Sequence, residues 1–268
     1  MSAICRTLGI GRATAYRPSL GRPRHYTCAA DALVTAQVQQ LVRERPSYGY
    51  RRLTVMINRA FSTRYNRKRI QRVMQRAGLT VPRRRRRTSG RAHTGRIVRA
   101  GSNERWCSDS LTVRCWSGEL VELGFVLDCC DRECLATVAV IGALAGADIR
   151  RLLRAACAQR FGEARPSAPL ELLSDNESMY TALETVIAAE RLGLTPITTP
   201  AYSPQSNGVS EAFVQTLRRD YLDGADLATA GRLLAQWPGW IADYNTQAPH
   251  SALGYRAPVE YRRAQETV

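Results

Sequence analysis

Three carboxylates stand out by residue type and setting. Asp109 lies in the run Trp106-Cys107-Ser108-Asp109-Ser110, Asp175 in Leu173-Ser174-Asp175-Asn176, and Glu211 just after Gly208-Val209-Ser210. Each has an ordinary explanation: an exposed strand residue, a turn former, a first-turn glutamate favoured by the helix dipole. Gathered in one place they would offer a donor set made only of carboxylate oxygen. Hard divalent cations prefer such oxygens, and Mg²⁺ takes a few carboxylates while water and substrate phosphate complete its shell. Two such ions about 4 Å apart activate an oxygen nucleophile and stabilise the leaving oxygen of a phosphodiester. Three clustered carboxylates also repel one another, so the set makes physical sense with metal bound.

Whether they gather depends on the elements that carry them. From Arg105 the texture is strand-like: Asp109, Leu111, Val113 and Cys115 alternate with Ser110, Thr112 and Arg114. Two further apolar runs, 119–130 and 133–141, are separated by Asp131-Arg132 and complete an antiparallel three-strand meander. A helix follows over 147–161, with Ile149, Leu152, Leu153, Ala156 and Cys157 inward. Then come a short strand (170–173) running into Asp175, a helix (180–192), a fifth strand (194–198), a loop (200–208) and a last helix (209–222). This order is that of a ribonuclease-H-like α/β fold, a mixed five-stranded sheet with flanking helices. In it the first strand, the end of the fourth and the start of the last helix converge at one edge.

The first hundred residues are different in kind. Residues 1–99 hold 24 Lys and Arg against only Asp31 and Glu44, whereas residues 100–268 hold 15 against 21 acids, within a chain of net charge +16. One part is built to meet a polyanion and the other is not. Three helices are expected here: 32–45 with Val34, Val38 and Leu41 on one stripe; a second after Ser47-Tyr48-Gly49 with Leu53, Met56, Ile57 and Ala60; and a third from the N-cap Asn66 to Gly78, with Ile70, Val73, Met74 and Ala77 inward. The outer side of the third carries Arg67, Lys68, Arg69, Gln71, Arg72 and Arg76. This is a helix-turn-helix-like all-α module with its last helix set for DNA, and Arg51 and Arg52 join its candidate phosphate contacts. Arg83, Arg84, Arg85, Arg86 and Arg87, with neither apolar periodicity nor acidic partners, read as a linker that neutralises phosphates whatever the base sequence. The expected division is 1–80 helical module, 81–102 arginine-rich linker, 103–222 catalytic core and 223–268 a C-terminal helical extension of that core.

Composition excludes several classes. Eight cysteines form no C-x-x-C pair and the three histidines are scattered, which argues against zinc. The longest apolar stretch, 135–147, is too short and too rich in Gly and Ala to span a bilayer. With a polar start and unpaired thiols, the expected setting is a reducing cytoplasm.

From Arg105 to about Tyr255 the chain resembles bacterial insertion-sequence transposases with retroviral-integrase-like cores, of the type encoded by a downstream reading frame. The resemblance rests on RWCSD, LLSDNESMY, YSPQSNGVSEAFVQTLRRDY and YNTQAPHSALGYRAPVEY, with RPSYGYRRL and NRKRIQRVMQRAGL resembling the family's small DNA-binding module. Thirty-five residues separate Asp175 from Glu211, the spacing after which the family is named. Arg218, seven positions and almost two turns past Glu211, shares its helix face and is placed for substrate phosphate. The resemblance implies that Asp109, Asp175 and Glu211 are the catalytic residues and hold two Mg²⁺ or Mn²⁺ ions. It implies nicking at the ends of a mobile element, then attack of the freed 3′-hydroxyl on target DNA, with no covalent protein–DNA intermediate through Tyr202 or Ser203. It further implies a homo-oligomer on double-stranded DNA at the bacterial nucleoid, and allows an upstream-frame helix-turn-helix protein as fusion or partner.

Two departures from the family pattern keep alternatives open. Glu177 stands where the family usually has glycine, adding a charge beside the site and backbone strain if the position needs positive φ. Ala248 replaces a residue that is often basic, ahead of Pro249-His250-Ser251. A catalytically impaired DNA-binding relative or repressor is one alternative, and a ribonuclease-H-like nuclease without strand transfer is another.

Overall fold

A computed structural model of the chain describes residues 2–9, 11, 28, 30–82, 101–199 and 208–266. After a short helix α1 (Ser2–Thr7), three helices form the basic module: α2 (Asp31–Glu44), α3 (Tyr50–Ala60) and α4 (Arg67–Arg76). Their shared core is Val34, Val38 and Leu41 of α2, Leu53 and Ile57 of α3, and Ile70, Val73 and Met74 of α4, with Tyr48 buried at the α2–α3 turn. The expected stripes hold except at Ala60, which is exposed, and at Met56 and Ala77, which are half-buried. Asn66 caps α4 by accepting from the Lys68 amide at 2.9 Å. Gly78 follows the helix with φ +67°, where a side chain would be strained.

The second unit is a five-stranded sheet in the order β3-β2-β1-β4-β5, built from β1 (Arg105–Arg114), β2 (Leu120–Asp128), β3 (Cys134–Ile141), β4 (Leu170–Ser174) and β5 (Leu194–Thr198). The β1–β2–β3 meander is antiparallel, while β4 runs parallel to β1 and β5 parallel to β4. One face carries α5 (Gly146–Phe161), α6 (Ser178–Thr181) and α7 (Leu183–Arg191) over Trp106, Val126, Leu135 and Leu172. The other carries α8 (Gly208–Leu217) and α9 (Ala230–Thr246) over Cys107, Leu111, Leu123, Phe125 and Leu173. Ala230, Leu233, Trp237 and Tyr244 of α9 belong to that same apolar cluster, so the C-terminal helices complete the core's second layer. Helix α10 (Pro258–Glu266) ends the described chain.

Two expected helices differ from what forms. The helix expected over 180–192 is split, with Ala182 extended (φ −58°, ψ 132°) between α6 and α7. Tyr180 is drawn inward to a 2.9 Å hydrogen bond with Ser108 Oγ, which fixes α6 independently of α7. The helix expected over 209–222 is α-helical only to Leu217 and then widens into a π-helical turn, Arg218–Leu222. That turn brings Asp220 and Tyr221, adjacent in sequence, both inward.

Candidate active site

Strand β1, which carries Asp109, runs parallel to β4, which leads into Asp175. Arg105 pairs with Glu171, Trp106 with Leu172 and Cys107 with Leu173. The pairing ends at Cys107 and Leu173; Asp109 lies two residues further along β1, and Asp175 follows directly after the last residue of β4. Asp109 shares the β1 face of Cys107 and Leu111, the face covered by α8. Helix α8 turns Ser210, Phe213 and Leu217 toward the sheet and leaves Glu211 exposed. Its height is set by Phe213, whose ring meets Phe125 edge-on at 4.6 Å and Tyr244 at 4.7 Å.

The electrostatics agree with this convergence. Burial pushes the Asp109 carboxyl up to about 6; the Ser110 amide on its Oδ1 (2.8 Å) opposes this, and the charges of Asp175 and Glu211 push it further up. The expected closed triad is nevertheless not formed. Among the described residues, no three His, Cys, Asp and Glu side chains stand close enough to hold an ion. The donor chemistry fits a hard divalent cation, since all three groups offer oxygen and a cation would offset both the burial and the neighbouring charges that raise Asp109.

Glu177 does not bring the strain expected of it. It adopts φ −64° and ψ 145° at the N-cap of α6, a conformation open to any residue, and its amide donates to Asp175 Oδ1 at 3.2 Å. Its carboxyl is raised by burial and by Asp175, Glu122 and Asp109, so a fourth negative group faces the site.

Sequence reading missed the residues that brace these acids. Glu122 on β2 accepts from Ser110 Oγ at 2.8 Å and from the Leu144 amide at 2.7 Å, tying the strand beside Asp109 to the segment leading into α5. Ser108 and Tyr180 link β1 to the helix that follows Asp175. The LLSDNESMY run contains Tyr180, but only the fold reveals its partner.

The candidate DNA contacts divide. Arg67 and Lys68 are exposed at the start of α4, Arg51 at the start of α3, and Arg218 at the start of the π turn. Arg69, Arg72 and Arg76 gather around the buried Asp31 at 2.8, 3.5 and 3.9 Å, three guanidiniums on one carboxylate. Arg52 corrects its expected role: its side chain is only 17% exposed, it donates to Asp220 Oδ2 at 2.7 Å, and its guanidinium lies 3.4 Å above the Tyr48 ring. A charge consumed inside an interface is not offered to phosphate. Arg83 to Arg87, Tyr202 and Ser203 lie outside the described residues. No helix among the described residues is long and apolar enough to cross a membrane.

Comparison with known proteins bears on the same two units. Integrase core domain models match residues 99–204 and 192–258, and an HTH-like domain model matches residues 29–87. The chain is 40% identical over 251 residues to the transposase InsD for insertion element IS2A/D/F/H/I/K of Escherichia coli, covering 91% of this chain and 82% of that protein. The InsD for IS2D of Escherichia coli strain K12 matches to the same extent. Among solved structures, the catalytic domain of Mos1 mariner transposase aligns over 62% of this chain and 76% of that one, with a TM-score of 0.47 and 14% identity. An HTH-like helical module, a mixed five-stranded sheet with helices on both faces, and relatedness along nine-tenths of the sequence lead to one assignment: the chain belongs to the insertion-sequence transposases with an integrase-type catalytic core, and is a DNA transposase.

Proposed function

We propose that Asp109, Asp175 and Glu211 hold two divalent ions, Mg²⁺ or Mn²⁺, and that the site nicks the ends of the element and then joins the freed 3′-hydroxyl to target DNA. The observation that supports this reading is that the charges of Asp175 and Glu211 are both felt at Asp109, on a strand paired in parallel with the one that leads into Asp175. The family's core is metal-dependent. When bound, the ions would supply an activated oxygen nucleophile and stabilise the leaving oxygen. The chain's own residues do the rest. Asp109 is held by the Ser110 amide on its Oδ1 and by the β1–β2 pairing opposite Phe125. Glu211 rides on a helix whose height the Phe213 contacts set. Arg218, one face along that helix, holds a substrate phosphate.

The basic module binds the element ends. Arg67, Lys68 and Arg51 meet the backbone directly, and the Arg69–Arg72–Arg76 group keeps an excess of positive charge beyond what Asp31 neutralises. The arginine run 83–87 follows the duplex between the units. The division into module (1–80), linker (81–102), core (103–222) and C-terminal extension (223–268) accords with these roles. Two ends must be handled together, so the working form is a homo-oligomer on DNA, with an upstream-frame helix-turn-helix protein as fusion or partner where end recognition needs it. The test is strand transfer of pre-nicked terminal DNA in Mg²⁺ or Mn²⁺. Joined product that vanishes in Asp175→Asn supports the reading. A folded, DNA-binding wild type that joins nothing, even with the upstream partner added, overturns it.

A further inference from the structure

The turn between α2 and α3 and the π turn after α8 meet in a buried polar interface that neither the acids nor the DNA contacts require. Asp220, whose side chain is fully buried, accepts from Ser47 Oγ at 2.6 Å, from Arg52 at 2.7 Å and from Arg219 at 2.7 and 2.8 Å. Burial alone would favour its neutral form, yet the hydrogen bonds from Arg219, Arg52 and Ser47 hold the carboxyl at about 2. One residue on, Tyr221 donates to Asp243 Oδ2 at 2.8 Å. Asp243, on α9, also takes a two-pronged ion pair from Arg45, the C-cap of α2. Arg45 and Arg52 both reach Tyr48, their guanidiniums 5.6 and 3.4 Å from its ring centroid. A third pair, Arg59 with Glu260, joins α3 to α10 nearer the surface.

Two points make this more than a contact between neighbours. The interface residues Asp220 and Tyr221 both lie on the π turn, and π turns are frequent at functional sites. Asp220 also stands nine residues past Glu211 on one continuous helical run. The module is thus tied to the element that carries the third acid.

We infer that Asp220 and Asp243 are positioning residues that register the DNA-binding module on the Glu211 helix, so that the distance from the bound element end to the scissile phosphodiester is fixed by this latch. The inference rests on the proposed nicking activity. With the latch intact, the module's grip selects one phosphodiester. With it broken, the module still binds and the core still cuts, but through the linker alone, and the cut wanders.

The test maps nick positions at nucleotide resolution on a labelled element-end duplex with the full-length chain. Module-side variants leave the core untouched: Arg45→Met, and the double variant Ser47→Ala/Arg52→Met. Removing one partner of a buried ion pair is strongly destabilising to the pairing, so the share of nicks away from the wild-type position should rise about tenfold in each. Total nicking and end binding should persist. A charge exchange, R45D combined with D243R, should restore part of the precision lost in R45D. Circular dichroism and an end-binding titration establish that each variant read is folded. Wild-type precision in both module-side variants would overturn the inference, as would loss of all nicking by a folded, end-binding R45M. Absence of metal-dependent nicking by the wild type would instead overturn the proposed activity.

Discussion

Phe213 packs edge-on against Phe125, ring centroids 4.6 Å apart, and Phe125 is the residue directly opposite Asp109 in the β1–β2 register. One aromatic contact therefore sets the height of the Glu211 helix over the strand that carries the first acid. Phe213→Ala should destabilise the core by about 3–5 kcal/mol, the usual cost of emptying a buried aromatic site. It should also lower strand transfer more than its residual folded fraction explains. Urea unfolding compared with activity at full folding checks this, and Phe213→Leu should recover stability better than activity.

Asp109 carries its own signature. Burial pushes its carboxyl up from the ordinary 3.8 to about 6. A raised carboxyl binds its proton more tightly when folded, so the metal-free protein gains stability from this group as pH falls from 6 toward 3.8, and at pH 7 the group costs about 2–3 kcal/mol. Asp109→Asn should therefore raise the thermal midpoint of the metal-free protein by several degrees while abolishing both activity and the Mn²⁺-induced shift in that midpoint. A lowered midpoint in metal-free buffer would contradict the cost that burial and the neighbouring acids place on the Asp109 charge.

His250 works in the opposite sense. Burial lowers its pKa to about 4; its ring sits edge-on to Tyr244 at 4.5 Å, and Arg52 also disfavours the charged form. The unfolded imidazole takes a proton near 6.5 and the folded one does not until about 4. Its contribution is fully present above 6.5 and is lost as pH falls through that window, to an extent of about 3 kcal/mol. Removing the imidazole in His250→Gln should flatten the acid limb of stability between pH 6.5 and 4, measured by denaturant midpoints across that range.

Asp31 restrains the basic helix. Its carboxylate is shared by Arg69, Arg72 and Arg76. Asp31→Asn should destabilise the module by about 1–2 kcal/mol, a figure discounted because the arginines are part-exposed. It should at the same time tighten non-specific duplex binding and steepen its salt dependence by close to one phosphate contact. Unchanged binding and slope would mean that these arginines do not face DNA.

The local parts of this architecture could be read without coordinates. Strand alternation placed Asp109 with Leu111 and Val113, the fifth strand was bounded at Leu194 and Thr198, and Asn66 and Gly78 marked α4 because capping chemistry is local. Three features left no local signal. The break at Ala182 has neither glycine nor proline, and follows from Tyr180 reaching Ser108, 72 residues away. The π turn is indistinguishable from a helix by periodicity, since RRDYL continues an amphipathic run. Arg52 read as a DNA contact because its partner Asp220 lies 168 residues distant, and an isolated arginine on a basic helix carries no sign of being spent inside an interface.

The central claim is that Asp109, Asp175 and Glu211 act as one metal-holding set, and the most direct measurement is the paired nicking and strand-transfer assay of Glu211→Gln in Mg²⁺ or Mn²⁺. Glu211 is exposed on α8, so the substitution leaves the fold intact. Wild-type DNA binding with neither nicked nor joined product is expected. Strand transfer retained by Glu211→Gln would contradict it.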